Sequence, residues 1–399
     1  RPRGHGDRRG DSGRGRGVIT QSASRCHEAD RRDEEVQPVG RMVTTTNIRK
    51  LNDRILASKC ETVKIGADVH ARDIVACVQL DGALPERPVK LTAEQLIGLV
   101  AGLIKAGRTV HVCQEAGPCG YVLHRRLLAA GAKSLVVVPT ALADGRQQKT
   151  DGLDATALVD KLDRYLRGNT KAFTVVTVPT PEQEQVRGEV RLREQLKHDR
   201  HAWEARGRSL LLAQGHHVTG PWWRAGNWAP LAATLPAWLV ERLEVIRKMV
   251  LALDAEERAL HTQLEACAPA QLPKAVGALT WVMLAREICD WTRFKNRRQV
   301  ASYTGLCPGG YQSGGTQRDG HINRHGNPVV RHLLIELTWR LVRWQPDYPP
   351  IRRLLESGAK GAARRKLAVA TARKLAVDLW RLATKQTTPE TLHLLVPTA

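Results

Sequence analysis

Four carboxylates stand where chemistry would use them. Asp68 closes the apolar-rich run TVKIGADV, and Glu115 closes TVHVCQE just before Gly117 and Pro118. Asp151 and Asp154 lie three apart at the start of the helical pattern DGLDATALVDKL, a spacing that puts both on one helix face. Asp68 and Glu115 follow strongly apolar runs, where an unpaired charge is expensive. Carboxylates gathered from strand ends and a helix make an oxygen-rich site for Mg²⁺, with Mn²⁺ as the alternative. Two such ions about 4 Å apart activate one phosphodiester oxygen and stabilise the leaving one. Each acid alone has a plainer reading. Asp68 could cap a turn, Asp151 could be an acid favoured by a helix N-terminus, and Asp154 could be a surface residue. The order strand-Asp, strand-Glu, helix-Asp-x-x-Asp gives the metal reading its specificity.

A serine among glycines forms the second constellation. Ser313, Gly314 and Gly315 are followed by Arg318, Gly320, Arg324, Gly326 and Asn327. Glycines beside a serine let the backbone approach a phosphate with no Cβ in the way. Arg318 and Arg324 supply charge for the phosphate oxygens, and Ser313 is then an exposed nucleophile in a cationic cradle. Residue chemistry alone favours a plainer reading, a flexible loop whose serine caps the next helix. His321 and His325 are four apart, but they are flanked by glycines and no third metal ligand is evident. They read as phosphate contacts or as plain exposed residues.

The composition points the same way. Lys and Arg total 62 against 40 Asp and Glu, a net charge of +22 spread through the foldable part, which favours a polyanionic partner and above all nucleic acid. Eight cysteines are scattered with no CxxC pair, which argues against a zinc ribbon or a disulfide framework and for a reducing, cytoplasmic setting. No apolar run of about 18 residues suggests a membrane span, and no cleavable secretory start is seen.

These residues need elements to position them. Residues 62–69 and 73–80 alternate as strands, with Asp81-Gly82 as a turn. Thr92 caps a helix running through Ala106, and Gly107 ends it. Residues 109–115 form a strand, 121–130 a helix, and 135–138 a short buried strand stopped by Pro139. This alternation predicts an α/β domain with a parallel or mixed sheet. Leu192, Leu196, Trp203 and Leu210 then mark one helical face. Leu239, Leu243, Ile246, Val250, Leu253, Leu260 and Leu264 follow a heptad, with Glu257 at the missing step. That seam fits a coiled coil between chains or a helical hairpin within one. From about residue 269 come short helices, a glycine-rich loop at 305–320, and a basic helix with ten Lys or Arg against two acids in 351–385. The outward face of that helix touches phosphates or only water. Residues 1–41, rich in Arg and Gly, precede the first methionine, Met42. They are expected to be an extension without function, the alternative being an arm that grips nucleic acid. The expected domains are 1–58 (disordered extension and linker), 59–180 (metal-binding), 181–268 (helical coiled-coil hairpin) and 269–399 (C-terminal, mainly α).

The motifs IGADVH, CQEAGPCGY and KTDGLDATAL resemble the Asp, Glu and Asp-x-x-Asp motifs of DEDD-type insertion-sequence transposases, relatives of Piv-type DNA invertases. YQSGGTQRDGHINRHGNPVVRHLL resembles the serine-containing C-terminal motif of the same family, and the likeness runs from about residue 62 to 385. Gly152 departs from the larger residue usual there, and Lys274 stands where a glycine is common. The resemblance implies an RNase H-like (RuvC-like) first domain, a helical coiled-coil region and a mainly α C-terminal domain. It implies Mg²⁺ held by Asp68, Glu115, Asp151 and Asp154, with Ser313 attacking DNA from another protomer. It further implies a dimer or tetramer, and a structured non-coding RNA that guides donor and target DNA. The rival readings are a metal-dependent junction nuclease without a nucleophilic serine and a non-catalytic nucleic-acid scaffold.

Overall fold

The computed structural model describes residues 45–139, 151–313 and 316–396. The expected extension at 1–41 lies outside them, as do Gly314 and Gly315. Two compact units are formed by the described parts of residues 1–113, 126–133 and 144–167, and by those of 114–125, 134–143 and 168–399.

Alternation builds the N-terminal sheet. Val63, Ile65 and Ala67 of β1 (Thr62–Val69) are fully buried. β1 pairs antiparallel with β2 (Ile74–Leu80), placing Asp68 opposite Val75, and β2 pairs with β3 (Val89–Leu91). With β4 (Thr109–Glu115) and β5 (Lys133–Val137) the order is β3-β2-β1-β4-β5. The mixed sheet is the expected one, although three-residue β3 is too short to show a period. Thr92 caps α2 (Ala93–Lys105) as expected: its hydroxyl accepts from Gln95 N at 3.2 Å, and Gln95 Oε1 accepts from Thr92 N at 2.8 Å. α3 spans Val122–Ala129. Within the stretch expected to be linker, residues Thr45–Ala57 form α1, whose Leu51 and Ile55 are buried one turn apart.

α4 (Asp151–Leu166) lies on β1 and β2 through Ala155, Leu158, Val159 and Leu162. The contact is backbone on backbone. A Cβ at Gly66 would stand 2.4 Å from Ala155 O and 2.5 Å from Val159 N. Lower on the same interface, Lys64 and Arg167 pair with Asp163. Burial opposes the Asp163 charge, but the Lys64 hydrogen bond and the two cations outweigh it and hold the carboxyl below its ordinary value. Gly66 thus sets the height of α4, and so of Asp151, over the strand that carries Asp68. Gly66→Ala is expected to cost about 1–3 kcal/mol in urea denaturation, and to weaken Mn²⁺ binding measured on the folded protein.

In the second unit α5 (Pro181–Ala213) packs against α7 (Ala237–Glu265), with α6 (Ala225–Ala232) in the connection. Leu239, Leu243, Ile246 and Val250 of the heptad seam are buried with Trp222, Trp223 and Trp228. Gly207 of α5 admits the Trp222 ring, which a Cβ would meet at 2.0 Å. The polar step in the heptad is explained by α5. Glu257 accepts from Arg193 at 3.2 Å and from Arg200 at 2.8 Å. The seam is therefore covered by a helix of the same chain.

The C-terminal part is mainly helical, built from α8 (Ala278–Ile288), α9 (Arg297–Thr304), α10 (Pro328–Trp344), α11 (Pro349–Glu356) and α12 (Gly361–Ala383). Leu284, Leu334, Leu337, Leu341, Ile351 and Leu379 fill its core. The expected glycine-rich loop is instead largely an antiparallel hairpin of β6 (Pro308–Ser313) and β7 (Thr316–Ile322). Glycines and polar residues hide its period-2 pattern, because neither strand alternates apolar with polar. Among the described residues no helix is long and apolar enough to cross a membrane.

Candidate functional site

Asp68 is the penultimate residue of β1 and Asp151 opens α4, and the packing at Gly66 brings the two together. His70 Nε2 stands 3.3 Å from Asp68 Oδ2 and 3.4 Å from Asp151 Oδ2. Ligand atoms of the three residues lie within 4.8 Å of one another. Asp68 is the most sheltered of the three, and His70 and Asp151 open to solvent. Two carboxylates and an imidazole so placed fit a divalent cation of the Mg²⁺–Mn²⁺ class, the nitrogen favouring Mn²⁺.

This trio includes neither Asp154 nor Glu115. Asp154 is half-buried one turn along α4 from Asp151, and Glu115 is half-buried at the end of β4. His70 was not among the residues expected here. Its signal was in IGADVH, two positions past Asp68, the spacing that returns to the same side of an extended chain.

The serine site is built from the base of its hairpin upward. Asn323 N donates to Cys307 O at 2.9 Å, Arg324 N to Gly305 O at 3.2 Å, and Asn327 N to Tyr303 O at 2.9 Å. Gly305 ends α9 at φ +65°, in the left-handed region. Gly326 lies so close beneath it that a Cβ would meet Tyr303 O at 2.4 Å and Gly305 N at 2.5 Å. The register then carries β6 outward, with Tyr311 opposite Arg318 and Ser313 opposite Thr316 at the far end. Five strand steps separate Pro308 from Ser313, about 17 Å. Arg324, exposed and two residues beyond β7, stays at the base. The expected shared cradle is therefore split: by register Arg318 keeps near Ser313, and Arg324 does not. His321 is exposed in β7 and His325 exposed beyond it, not one turn apart on a helix.

Beneath the base lies a buried polar network. Glu287 of α8 is fully buried and accepts from Arg191 Nε at 2.9 Å and Nη2 at 3.2 Å, a bidentate pair from α5. Asn327 Nδ2 donates to Glu287 Oε2 at 2.6 Å, while Asn327 Oδ1 caps α10 by accepting from Val329 N and Val330 N. Tyr303 O–H donates to the Glu287 carbonyl at 2.8 Å. The Glu287 hydrogen bonds push the Arg191 guanidinium up, and burial pushes the Tyr303 phenol up. One acid thus joins α5, α8, α9 and the start of α10 around the hairpin base. Glu287→Ala would leave Asn327 Nδ2 without its acceptor, while half-exposed Arg191 turns to water, and is expected to cost about 1–3 kcal/mol in chemical denaturation. Glu287→Gln, which keeps the shape, should cost less.

Comparison with known proteins assigns both halves to one kind of protein. Residues 65–214 match a DEDD-type IS110 transposase model, described as transposase, and residues 273–353 match the model described as transposase IS116/IS110/IS902 family. The chain is 32% identical over 332 residues to a putative transposase, y4rJ, of Sinorhizobium fredii, covering 73% of this chain and 84% of that one. It is 26% identical over 320 residues to y4qE of the same organism, also a putative transposase, covering 70% and 77%. It is 26% identical over 343 residues to the transposase for insertion sequence element IS1111A of Coxiella burnetii, covering 81% and 90%.

Proposed function

Because this chain belongs to the IS116/IS110/IS902 family of transposases, we propose that it moves an insertion sequence by cutting and rejoining DNA through a serine–DNA intermediate at a metal-dependent site. The observation that carries the metal half is the convergence of Asp68, His70 and Asp151 on one point. Asp68, His70 and Asp151 would hold the ion, and Glu115 and Asp154 complete the acidic set in this reading. When bound, a divalent ion supplies Lewis-acid stabilisation to the charged phosphate.

The serine half is supported by sequence and register. The Ser313 hydroxyl gives up its proton as Oγ bonds to phosphorus, and the DNA oxygen leaves with the bonding pair. One phosphodiester is exchanged for another, so rejoining needs no external energy source. Arg318 offsets the added charge on the phosphate in this reading. Action in a dimer or tetramer, an RNase H-like first domain, a cytoplasmic setting and guidance by a structured non-coding RNA belong to the same proposal. Their support is the family resemblance, and for the nucleic-acid partners also the net charge of +22.

The full chain, incubated with end-labelled insertion-sequence DNA and Mg²⁺, should yield a denaturant-resistant protein–DNA adduct. Cleavage without any adduct would favour a water-using nuclease, and no cleavage a binding scaffold. Sequencing RNA co-purified with the protein tests the guide.

A further inference from the structure

Between α9 and α12 runs an open groove of about 430 Å³ that the chemistry above does not use. Arg297 and Arg298 border it from the start of α9, and Arg373, Lys374 and Arg381 from α12. One buried carboxylate answers these five cations. Asp378 binds Lys374 at 2.5 Å, lies 3.8 Å from Arg381, and accepts the Tyr348 hydroxyl at 2.7 Å. Arg297, Arg298 and Arg373 have no carboxylate within ion-pair distance among the described residues. The rest of the lining is small, with Ala301 and Ala370 among it, and no aromatic ring takes part.

We infer that this groove binds the phosphodiester backbone of duplex DNA. Positions 373 to 381 on α12 span eight residues, about 12 Å at 1.5 Å each. Phosphates on one strand of a duplex advance about 3.4 Å per base pair, so this length meets three or four of them. Arg373, Lys374 and Arg381 supply cations along that length, and Arg297 and Arg298 border the groove from α9. Single-stranded RNA is usually gripped by stacking its bases on aromatic side chains, and the groove offers none. Its contacts go to phosphates and position the duplex without reading sequence. Cys307 also lines the groove, and the next residue, Pro308, begins β6. A duplex seated there lies at the foot of the hairpin that carries Ser313. The inference rests on the reading of DNA as substrate but not on the serine chemistry.

The test uses the full chain and a 30-base-pair duplex, with affinity followed by fluorescence anisotropy across a potassium chloride series. Each phosphate contact contributes about −0.9 to the slope of log K against log salt. Changing Arg297, Arg298 and Arg373 together to Gln should flatten that slope by roughly 2–3 and lower affinity at moderate salt by at least about tenfold. Changing the same three to Lys should restore most of the slope, which a folding defect would not allow. Duplex DNA should also slow alkylation of Cys307 while leaving the exposed Cys267 unchanged. An unchanged slope in the Gln variant, or a loss seen for single-stranded RNA but not for duplex DNA, overturns the inference. Loss of duplex binding in the Gln variant supports it whether or not Ser313 forms an adduct, so failure of the serine reading is seen separately.

Discussion

Ser313→Ala is expected to abolish both the covalent protein–DNA adduct and strand exchange, by about a thousandfold or more, while duplex binding stays near wild type. A serine hydroxyl is a weak nucleophile at neutral pH, so its value lies in where the fold holds it. Ser313 is the last residue of β6, paired with Thr316, about 17 Å along the strand from Pro308. The hairpin base is fixed by the Cys307–Asn323, Gly305–Arg324 and Tyr303–Asn327 backbone bonds and by the buried Glu287 network. The chain thus presents this serine at the far end of an anchored arm, between two glycines of sequence and a second strand that carries Arg318. Ser302, the nearest competitor, is exposed in the last turn of α9. Ser302→Ala should therefore leave both adduct and exchange intact. Digestion of the adduct and mass spectrometry of the DNA-linked peptide locate the bond. An adduct on any residue other than Ser313, or normal exchange by Ser313→Ala, refutes the assignment.

How far the sequence alone reached depends on what carried each signal. β1, α2 and β4 were readable to within a residue because their apolar periods are long and their ends are marked by Thr92, Gly107 and Glu115. The hairpin of β6 and β7 was not, since PGGYQS and TQRDGHI bury no regular apolar face and glycine suggests a loop. α1 was hidden by the charged stretch around Leu51 and Ile55, which only tertiary packing turns into a buried face. The polar residue in the heptad, Glu257, made sense only once Arg193 and Arg200 of α5 stood opposite it. At the metal site the acids were visible by type and spacing, but their grouping was not. It depends on the absence of a Cβ at Gly66, and His70, two positions past Asp68, joins only once α4 brings Asp151 to the same side. Arg324 illustrates the reverse: near Ser313 in sequence, it is parted from it by the length of a strand.

Asp68→Asn is expected to remove strand exchange as completely as loss of the serine, and for a different reason. Asp68 is the most sheltered member of the Asp68–His70–Asp151 group, held at the end of a buried strand. Asn keeps the shape but gives up the charge that a hard divalent ion requires of its ligands. Asp151→Asn should act alike, because Asp151 and Asp68 flank the same imidazole nitrogen at 3.4 and 3.3 Å. Asp154→Asn should be milder, as Asp154 is not in the close trio. His70→Ala separates the ion's identity from its presence. Loss of the one nitrogen donor should weaken Mn²⁺ more than Mg²⁺, since imidazole favours the transition metal. Mn²⁺ affinity can be read by paramagnetic resonance on protein without DNA, independently of any cleavage. The folds should survive, because both acids lie at element ends and Gly66, Lys64 and Asp163 still seat α4 on β1. Wild-type Mn²⁺ affinity together with full strand exchange in Asp68→Asn and Asp151→Asn would remove the metal site from these residues.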